Sequence, residues 1–417
     1  MSFSRADKGG FANWWFTVDK VALTGMGLLL GIGLMLAFAA SPAITGGPLT
    51  AGDFHYAARQ LMYAVVALSI MAGASLLSLR QVKIVAAFIF TTALIGSFLV
   101  LFLGNDVLGA QRELNFGFMS LQPSEFLKPG FAILAAAVLA DRAPMKLPKP
   151  VITLLLVLPA IIILLLQPDV GQTGLLLSLW GAMLFFAGLP LFWVGLLAGA
   201  TTVLGFAAYA IFPHVHHRVA QYLSDSDIGY QAGLALKAFA HGGLTGVGPG
   251  AGTIKYRIPD AHSDYIFAVA GEEFGLILCA VIAALFGLLT VRLLLRAANA
   301  RDPFCQLAGA GLAVVTAVQA FINMGVAVSL LPAKGMTLPF ISYGGSSLFS
   351  IALTMGFALA VTRQRPKLTA RAESLLGALG VHACPAPSFS RPAAPAAISF
   401  PPRRWPANSA AADAGSW

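Results

Sequence analysis

Long apolar runs follow one another along this chain and are separated by short polar segments. A membrane-spanning helix needs about 20 predominantly apolar residues, and ten runs come close to that length. They lie near residues 21–40, 61–78, 84–103, 125–140, 151–166, 173–189, 190–212, 265–290, 304–331 and 343–362. The sixth and seventh runs are continuous and must be divided at a turn around Pro190. The pattern therefore predicts an all-α integral membrane protein with ten transmembrane helices.

The composition supports a membrane protein and excludes several other classes. Hydrophobic residues make up 58% of the 417 residues and charged residues only 10%, whereas soluble domains contain about 25% charged residues. The net charge of +9 comes without a basic patch that alternates with aromatic residues, so no nucleic-acid partner is expected. Cys279, Cys305 and Cys384 have neither disulfide nor metal-ligand spacing. The residues themselves therefore predict no metal site.

The distribution of lysine and arginine predicts the orientation. Ten spans place both termini on one side, and most of the 26 basic residues share that side, which is typical of cytoplasmic segments. We therefore expect a cytoplasmic N-terminal segment (1–20), a transmembrane domain (21–365) and a cytoplasmic tail (366–417). The tail is rich in Pro and Ala, a composition typical of disorder. The external loops are then 41–60, 104–124, 213–264 and 332–342.

The longest external loop, 213–264, exceeds what a simple connection requires. Its apolar pattern from Tyr230 to Ala240 predicts a short helix at the outer surface. The following "GVGPGAG" matches no nucleotide-binding pattern, and we expect its glycines to permit a tight path with positive φ angles. The small residues of "FISYGGSS", where the tenth span begins, favour close helix packing.

Ionisable residues at membrane depth are costly to bury and are candidates for function. Glu125 and Lys128 in "LQPSEFLK" are three residues apart, so on a helix they share one face and can pair. The spacing fits a purely structural ion pair as well as a direct role. Asp169 in "LLQPDVGQ" follows a proline between two spans, where it is either a functional group or the cap of the next helix.

Asp264 lies where "IPDAHSDYIFAVAGEEFG" enters the eighth span. Its position suits a helix cap as well as a functional carboxylate. Glu272 lies eight residues on, about 12 Å deeper at helical rise, and Glu273 points almost opposite to Asp264. We therefore expect the two glutamates and Asp264 to have different roles.

Five motifs, in this order and spacing, resemble the SEDS proteins (shape, elongation, division and sporulation). They are "LQPSEFLK", "LLQPDVGQ", "GYQAGLALKAFAHGGLTGVGPG", "IPDAHSDYIFAVAGEEFG" and "LLPAKGMTLPFISYGGSSL". The resemblance covers about Val21 to Arg363 and is closer to the FtsW type, particularly that of alphaproteobacteria, than to its sister RodA. It implies the SEDS fold, with a large extracytoplasmic loop between helices 7 and 8.

The resemblance implies a peptidoglycan glycosyltransferase active in septal cell-wall synthesis. Its substrate would be lipid II, the undecaprenyl-pyrophosphate disaccharide pentapeptide, polymerised on the outer face of the cytoplasmic (inner) membrane. The implied partners are a class B penicillin-binding protein, which is an FtsI-like transpeptidase, and other divisome membrane proteins. No cofactor is fixed by the resemblance, which leaves a divalent cation open.

The family's functional positions carry over to individual residues of this chain. The essential loop aspartate corresponds to Asp264, which is the candidate catalytic residue. The candidate substrate-binding residues are Glu125, Lys128, Arg112, Asp169 and Lys334. This chain departs from the family pattern at Glu113, where tryptophan is usual, and at Ala251, where related sequences often carry an acidic residue. These departures leave the shape of the donor and acceptor sites open.

Two other functions fit the same residues. A lipid II flippase would have a cavity open to both faces, with Glu272 and Glu273 as transport groups. A non-enzymatic divisome scaffold for the transpeptidase would use exposed helix faces, and Asp264 would then be dispensable.

Overall fold

The computed structural model describes residues 10–40, 55–104, 106–107, 110–115, 117, 120–189, scattered positions between 192 and 216, 230–331 and 335–363. Its helices are α1 (Gly10–Thr17), α2 (Lys20–Ala40), α3 (His55–Leu76), α4 (Leu79–Leu103), α5 (Ser124–Ala140), α6 (Lys149–Leu166), α7 (Val170–Phe186), α8 (Tyr230–Gly242), α9 (Ile266–Ala298), α10 (Pro303–Ala327) and α11 (Gly345–Thr362). Two hairpins pair β1 (Asp106–Val107) with β2 (Ala110–Gln111) and β3 (Leu114–Asn115) with β4 (Ser120–Leu121).

The predicted all-α membrane architecture is confirmed. Within the described residues, seven helices are long and apolar enough to cross a membrane, so the protein is a multi-pass membrane protein. The helices α5 and α7 have 17 residues each and coincide with two further predicted spans. Most of the seventh predicted span, 190–212, lies outside the described residues, so the count of ten stays a prediction. The predicted tail and most of the predicted 41–60 loop also lie outside them.

Helix starts are fixed by local sequence. At α4, Ser78 and Gln81 form a capping box, in which each side chain bonds the other residue's backbone amide. At α10, the Asp302 carboxylate accepts from the amide of Phe304, and Pro303 occupies the first turn. The helix α3 begins at His55, earlier than the predicted span, so part of the expected 41–60 loop is helical.

The core lies along α11, which is buried over most of its length. Small residues permit this packing: a Cβ added at Gly356 would lie 2.6 Å from the side chain of Ala74 on α3. At the other extreme, α4 exposes Phe88 and Phe102, each 69% accessible. Apolar side chains on the outside of such a bundle suit contact with lipid.

The helix α9 is broken at Gly275, whose φ is 79° and ψ is 179°. A loop from Gly243 to Gly248 fills the break: the amide of Leu276 donates to the carbonyl of Gly243 at 3.0 Å, and the amide of Gly248 donates to that of Glu273 at 3.0 Å. A Cβ at Gly246 would lie 2.2 Å from the Glu273 carbonyl oxygen. The prediction of positive φ angles in "GVGPGAG" is confirmed at Gly246, Gly248 and Gly250 but not at Gly252, and the break in α9 was not predicted.

Candidate functional site

The candidate site lies at one end of the bundle, where α5, α7 and α11 begin and α10 ends. Two irregular segments, 259–265 and 335–344, complete it. Glu125, Lys128, Arg112, Asp169 and Asp264 all belong to this region, through the contacts described below. Lys334 lies outside the described residues.

The predicted pair of Glu125 and Lys128 is present in the first turns of α5. Nζ of Lys128 lies 2.7 Å from Oε2 of Glu125, with side chains 4% and 3% exposed. The pair is not isolated: Gln172 on α7 donates to Oε1 of Glu125 at 2.5 Å, and Lys128 donates to Oε1 of Gln319 on α10 at 2.9 Å. The pair thus joins three helices.

Gln319 carries this network to the segment 335–344. Its Nε2 donates to the carbonyl of Thr337 at 3.2 Å, and the hydroxyl of Thr337 bonds that of Ser347 on α11. Gln319 was not predicted from the sequence as a residue of the site. The available signal was "AVQAFINMG", in which two amide side chains four residues apart share one face of an apolar helix.

Asp169 is the N-cap of α7, which was one of its two predicted roles, the other being a functional group. Its carboxylate accepts from the backbone amide of Gln172 at 3.2 Å. Burial raises the pKa of Asp169, and the positive charge of Arg112 opposes that shift. Arg112 is itself held close by, because one of its guanidinium nitrogens donates to the carbonyl of Pro168 at 2.9 Å.

Asp264 is positioned by its backbone. Its amide donates to the carbonyl of Asp260 at 3.1 Å, and its carbonyl accepts from Nδ2 of Asn323 at 2.9 Å. The N-cap of α9 is Tyr265, and no side chain caps this helix end. No described residue donates a hydrogen bond to the Asp264 carboxylate, so the capping alternative is not observed.

The charge state of Asp264 is set by its surroundings. Burial raises its pKa to about 7, the negative charges of Asp260 and Glu113 add to the shift, and Arg112 opposes it. A Cβ added at Gly335 would lie 3.3 Å from Oδ2 of Asp264 and 4.0 Å from the Arg112 guanidinium. Glycine at 335 therefore leaves space beside both groups.

A small cavity opens beside the Asp264 carboxylate. Its volume of about 20 Å³ is room for a water-sized group. The residues lining it are Gln231, Asp264, Tyr265, Asn323, Val326, Gly335 and Met336.

Glu272 and Glu273 hold the long loop onto α9. The Glu272 carboxylate accepts from the amides of Thr253, Ile254 and Lys255 at 2.7 to 2.8 Å. Glu273 forms a fully buried ion pair with Lys255. Nζ of Lys255 also donates to the backbone carbonyl of Ala39, near the end of α2, at 2.7 Å. The expectation that these glutamates differ in role from Asp264 agrees with their contacts.

The described residues contain no group of three or more His, Cys, Asp or Glu side chains arranged to hold a metal ion. Of the two departures from the family pattern, Glu113 acts on Asp264 through its charge. Ala251 is exposed in a turn, where its amide donates to the carbonyl of Gly248 at 3.1 Å.

The family model and the relatives found by comparison with known proteins agree with one another. The family model of the FtsW, RodA and SpoVE type, described as cell cycle protein, matches residues 20–367. A probable peptidoglycan glycosyltransferase FtsW from Caulobacter vibrioides is 41% identical over 367 residues, which is 88% of this chain and 94% of the relative. A protein of the same name from Tolumonas auensis is 33% identical over 84% of this chain and 95% of the relative.

Two solved structures share the fold. One, from work on the coordination of polymerization and crosslinking by a peptidoglycan synthase complex, has a TM-score of 0.69 at 27% identity and covers 84% of this chain and 98% of that chain. The rod shape determining protein RodA of Thermus thermophilus has a TM-score of 0.61 at 26% identity and covers 84% of this chain and 97% of that chain.

Proposed function

The chain belongs to the FtsW, RodA and SpoVE family of cell cycle proteins, and we propose that it polymerises lipid II as a peptidoglycan glycosyltransferase, with Asp264 as its general base. The observation that carries this assignment is the Asp264 carboxylate. It receives no hydrogen bond from the described residues and borders a cavity near Arg112.

Asp264 would activate the attacking group. In glycan extension a sugar hydroxyl of one molecule attacks the anomeric carbon of another. A C–O bond forms there, and the bond to undecaprenyl pyrophosphate breaks with its electrons on the leaving group. The hydroxyl proton passes to Asp264, and such general base catalysis typically contributes about 10² to 10⁴-fold in rate. A pKa of about 7 suits this role, because the most effective base titrates near the working pH.

Arg112 and Lys128 would offset the charge of the pyrophosphate, which is an already stabilised leaving group. Asp169 and Glu125 then act by holding these cations: Asp169 attracts Arg112, and Glu125 pairs with Lys128. We include Lys334 among the substrate-binding residues on the strength of the family motif.

We propose that the site faces the outside of the cytoplasmic membrane, with both termini cytoplasmic, at the division septum. Lipid II keeps its tail in the bilayer, and a site at one end of the bundle suits such a substrate. We also propose that a class B penicillin-binding protein packs its transmembrane helix along α9 and α10 and raises the rate, together with other divisome membrane proteins.

The contacts of Glu272 and Glu273 favour the polymerase over the flippase. A flippase would use these carboxylates as transport groups, but Glu272 accepts three backbone hydrogen bonds and Glu273 is paired with Lys255. Groups that hold a loop in this way are poorly suited to moving a substrate.

The test is polymerisation of purified lipid II by the full chain, alone and with its transpeptidase partner. We expect the wild type to form glycan strands, faster with the partner, and Asp264→Asn to form none while it folds and binds the partner. The matched control is Asp302→Asn, which keeps a good cap on α10 and should polymerise normally. Near-normal polymerisation by Asp264→Asn would contradict the general-base assignment and favour the scaffold.

A further inference from the structure

Two buried polar atoms, in residues that line the cavity beside Asp264, have no hydrogen-bond partner among the described residues. They are Oδ1 of Asn323 and the hydroxyl of Tyr265, in side chains of residues that are 1% and 2% exposed. Both residues line the cavity. Buried polar groups are nearly always satisfied by protein, water or ligand, so two unsatisfied atoms in residues that line one cavity call for a further partner.

The amide of Asn323 has a fixed orientation. Its Nδ2 donates to the carbonyl of Asp264 at 2.9 Å and to that of Met336 at 2.6 Å. Two carbonyl acceptors identify this atom as the nitrogen, since an oxygen there would be repelled by both. Oδ1 is therefore held as an acceptor, and the same residue holds the backbone of Asp264.

The hydroxyl of Tyr265 supplies the complementary donor. A tyrosine hydroxyl ordinarily loses its proton only at about pH 10, so this hydroxyl keeps its proton at neutral pH. Residues that line this cavity of about 20 Å³ thus carry one fixed acceptor and one donor. A hydroxyl group, which donates once and accepts through two lone pairs, matches both.

We propose that Asn323 and Tyr265 form a hydroxyl-binding subsite beside Asp264 that takes one sugar hydroxyl of the acceptor saccharide. This inference rests on the proposed function. Asn323 accepts from the sugar hydroxyl, Tyr265 donates to it, and the sugar is thereby oriented so that the attacking hydroxyl reaches Asp264. Phosphate is excluded as the occupant, because the acceptor Oδ1 and the carboxylate of Asp264 would both repel an anion.

Tyr265→Phe is the sharpest test, since it removes one hydroxyl and leaves the ring. If the hydroxyl binds substrate, kcat/KM for lipid II polymerisation falls about 2- to 12-fold, the usual range for one net hydrogen bond. The melting temperature should not fall, because the hydroxyl has no partner to lose in the free protein. The matched control is Tyr256→Phe, which removes an exposed hydroxyl of the long loop outside the cavity, and it should leave kcat/KM unchanged.

Substrate analogues separate binding from packing. Acceptor saccharides that each lack one sugar hydroxyl should react more slowly with the wild type, and for one of them the difference between the wild type and Tyr265→Phe should disappear. Asn323→Leu should lose sensitivity to the same analogue. If Asn323→Leu proves unstable, Tyr265→Phe with the analogues still decides the question.

Two outcomes overturn the subsite. Equal kcat/KM for the wild type and Tyr265→Phe with every acceptor, while the wild type polymerises lipid II, would mean that the cavity holds only water, and the proposed function would stand. A wild type that polymerises nothing with its partner present would overturn the proposed function and the subsite together.

Discussion

Nζ of Lys128 lies 2.7 Å from Oε2 of Glu125, and both side chains are almost fully buried within the bundle. The remaining carboxylate oxygen accepts from Gln172, and the ammonium also donates to Gln319. Because each charge is satisfied by the other and by a neutral amide, neither can be removed without leaving an uncompensated partner.

We therefore predict that Glu125→Ala and Lys128→Ala each abolish lipid II polymerisation. Breaking a buried pair costs about 3 to 5 kcal/mol, so the melting temperature should fall as well. The exchange Glu125→Lys with Lys128→Glu should not restore activity, because it sets a cation against the donor Gln172 and a carboxylate against the acceptor Gln319. Full polymerisation by the exchanged protein would show that the pair is only structural.

Gly275→Ala should destabilise the protein strongly. Its φ of 79° strains any other residue, and the added Cβ would lie 2.2 Å from the carbonyl oxygen of Leu244, in the loop that fills the break of α9. The control is Gly287→Ala in the same helix, where no atom lies within 4 Å of the added Cβ. The measurement is the melting temperature in detergent, and equal values for the two variants would show that the inserted loop does not stabilise the fold.

The pair of Lys255 and Glu273 is predicted to be structural. Lys255→Met and Glu273→Leu should each lower the free energy of unfolding by about 3 to 5 kcal/mol, and the double variant should recover part of that loss and much of the polymerisation. Replacing both charges by apolar groups is often tolerated where removing one is not. An inactive but stable double variant would instead assign Glu273 a direct role.

The sequence predicts most of the helices because apolar runs of spanning length have few alternatives, and nine described helices coincide with nine of the ten runs. It also predicts the Glu125–Lys128 pair, because three-residue spacing fixes a shared helix face. The break at Gly275 was not predictable, since its neighbours read as one apolar run and the hydrogen bonds that fill it come from a distant loop.

The amide groups of the site were missed for a related reason. Gln319 and Asn323 lie in the middle of an otherwise apolar helix, and a lone amide carries no charge that would mark it as costly. Their partners, Lys128 and the carbonyls of Asp264 and Met336, are distant in sequence. Only the packing of α10 against these segments reveals their role.

The raised pKa of Asp264 predicts how stability depends on pH. Because the folded-state pKa of about 7 exceeds the usual 3.8, the folded protein binds this proton more tightly than the unfolded chain does. The resulting stability is fully present below about pH 4 and is lost as the pH rises through about 7. Asp264→Asn carries no such charge, so its melting temperature should match the wild type near pH 4 and exceed it near pH 8. A wild type that is more stable than Asp264→Asn at pH 8 would contradict the raised pKa.

The rate of polymerisation should depend on pH through Asp264. A general base acts only when ionised, so kcat/KM should rise with pH and level off above about 7, the pKa of Asp264. Asp260→Asn removes a charge that raises this pKa and should move the rising limb to lower pH. Asparagine tolerates the φ of 55° at position 260, so the loop should keep its conformation.

Arg112→Gln removes the opposing positive charge and should move the same limb to higher pH, with a lower plateau because Arg112 is also a proposed contact for the pyrophosphate. The two variants should shift the pKa of Asp264 in opposite directions. A change in the ionisation of the substrate would shift both profiles the same way, so it cannot produce this result. A rising limb that stays in place in both variants would show that a group other than Asp264 accepts the proton.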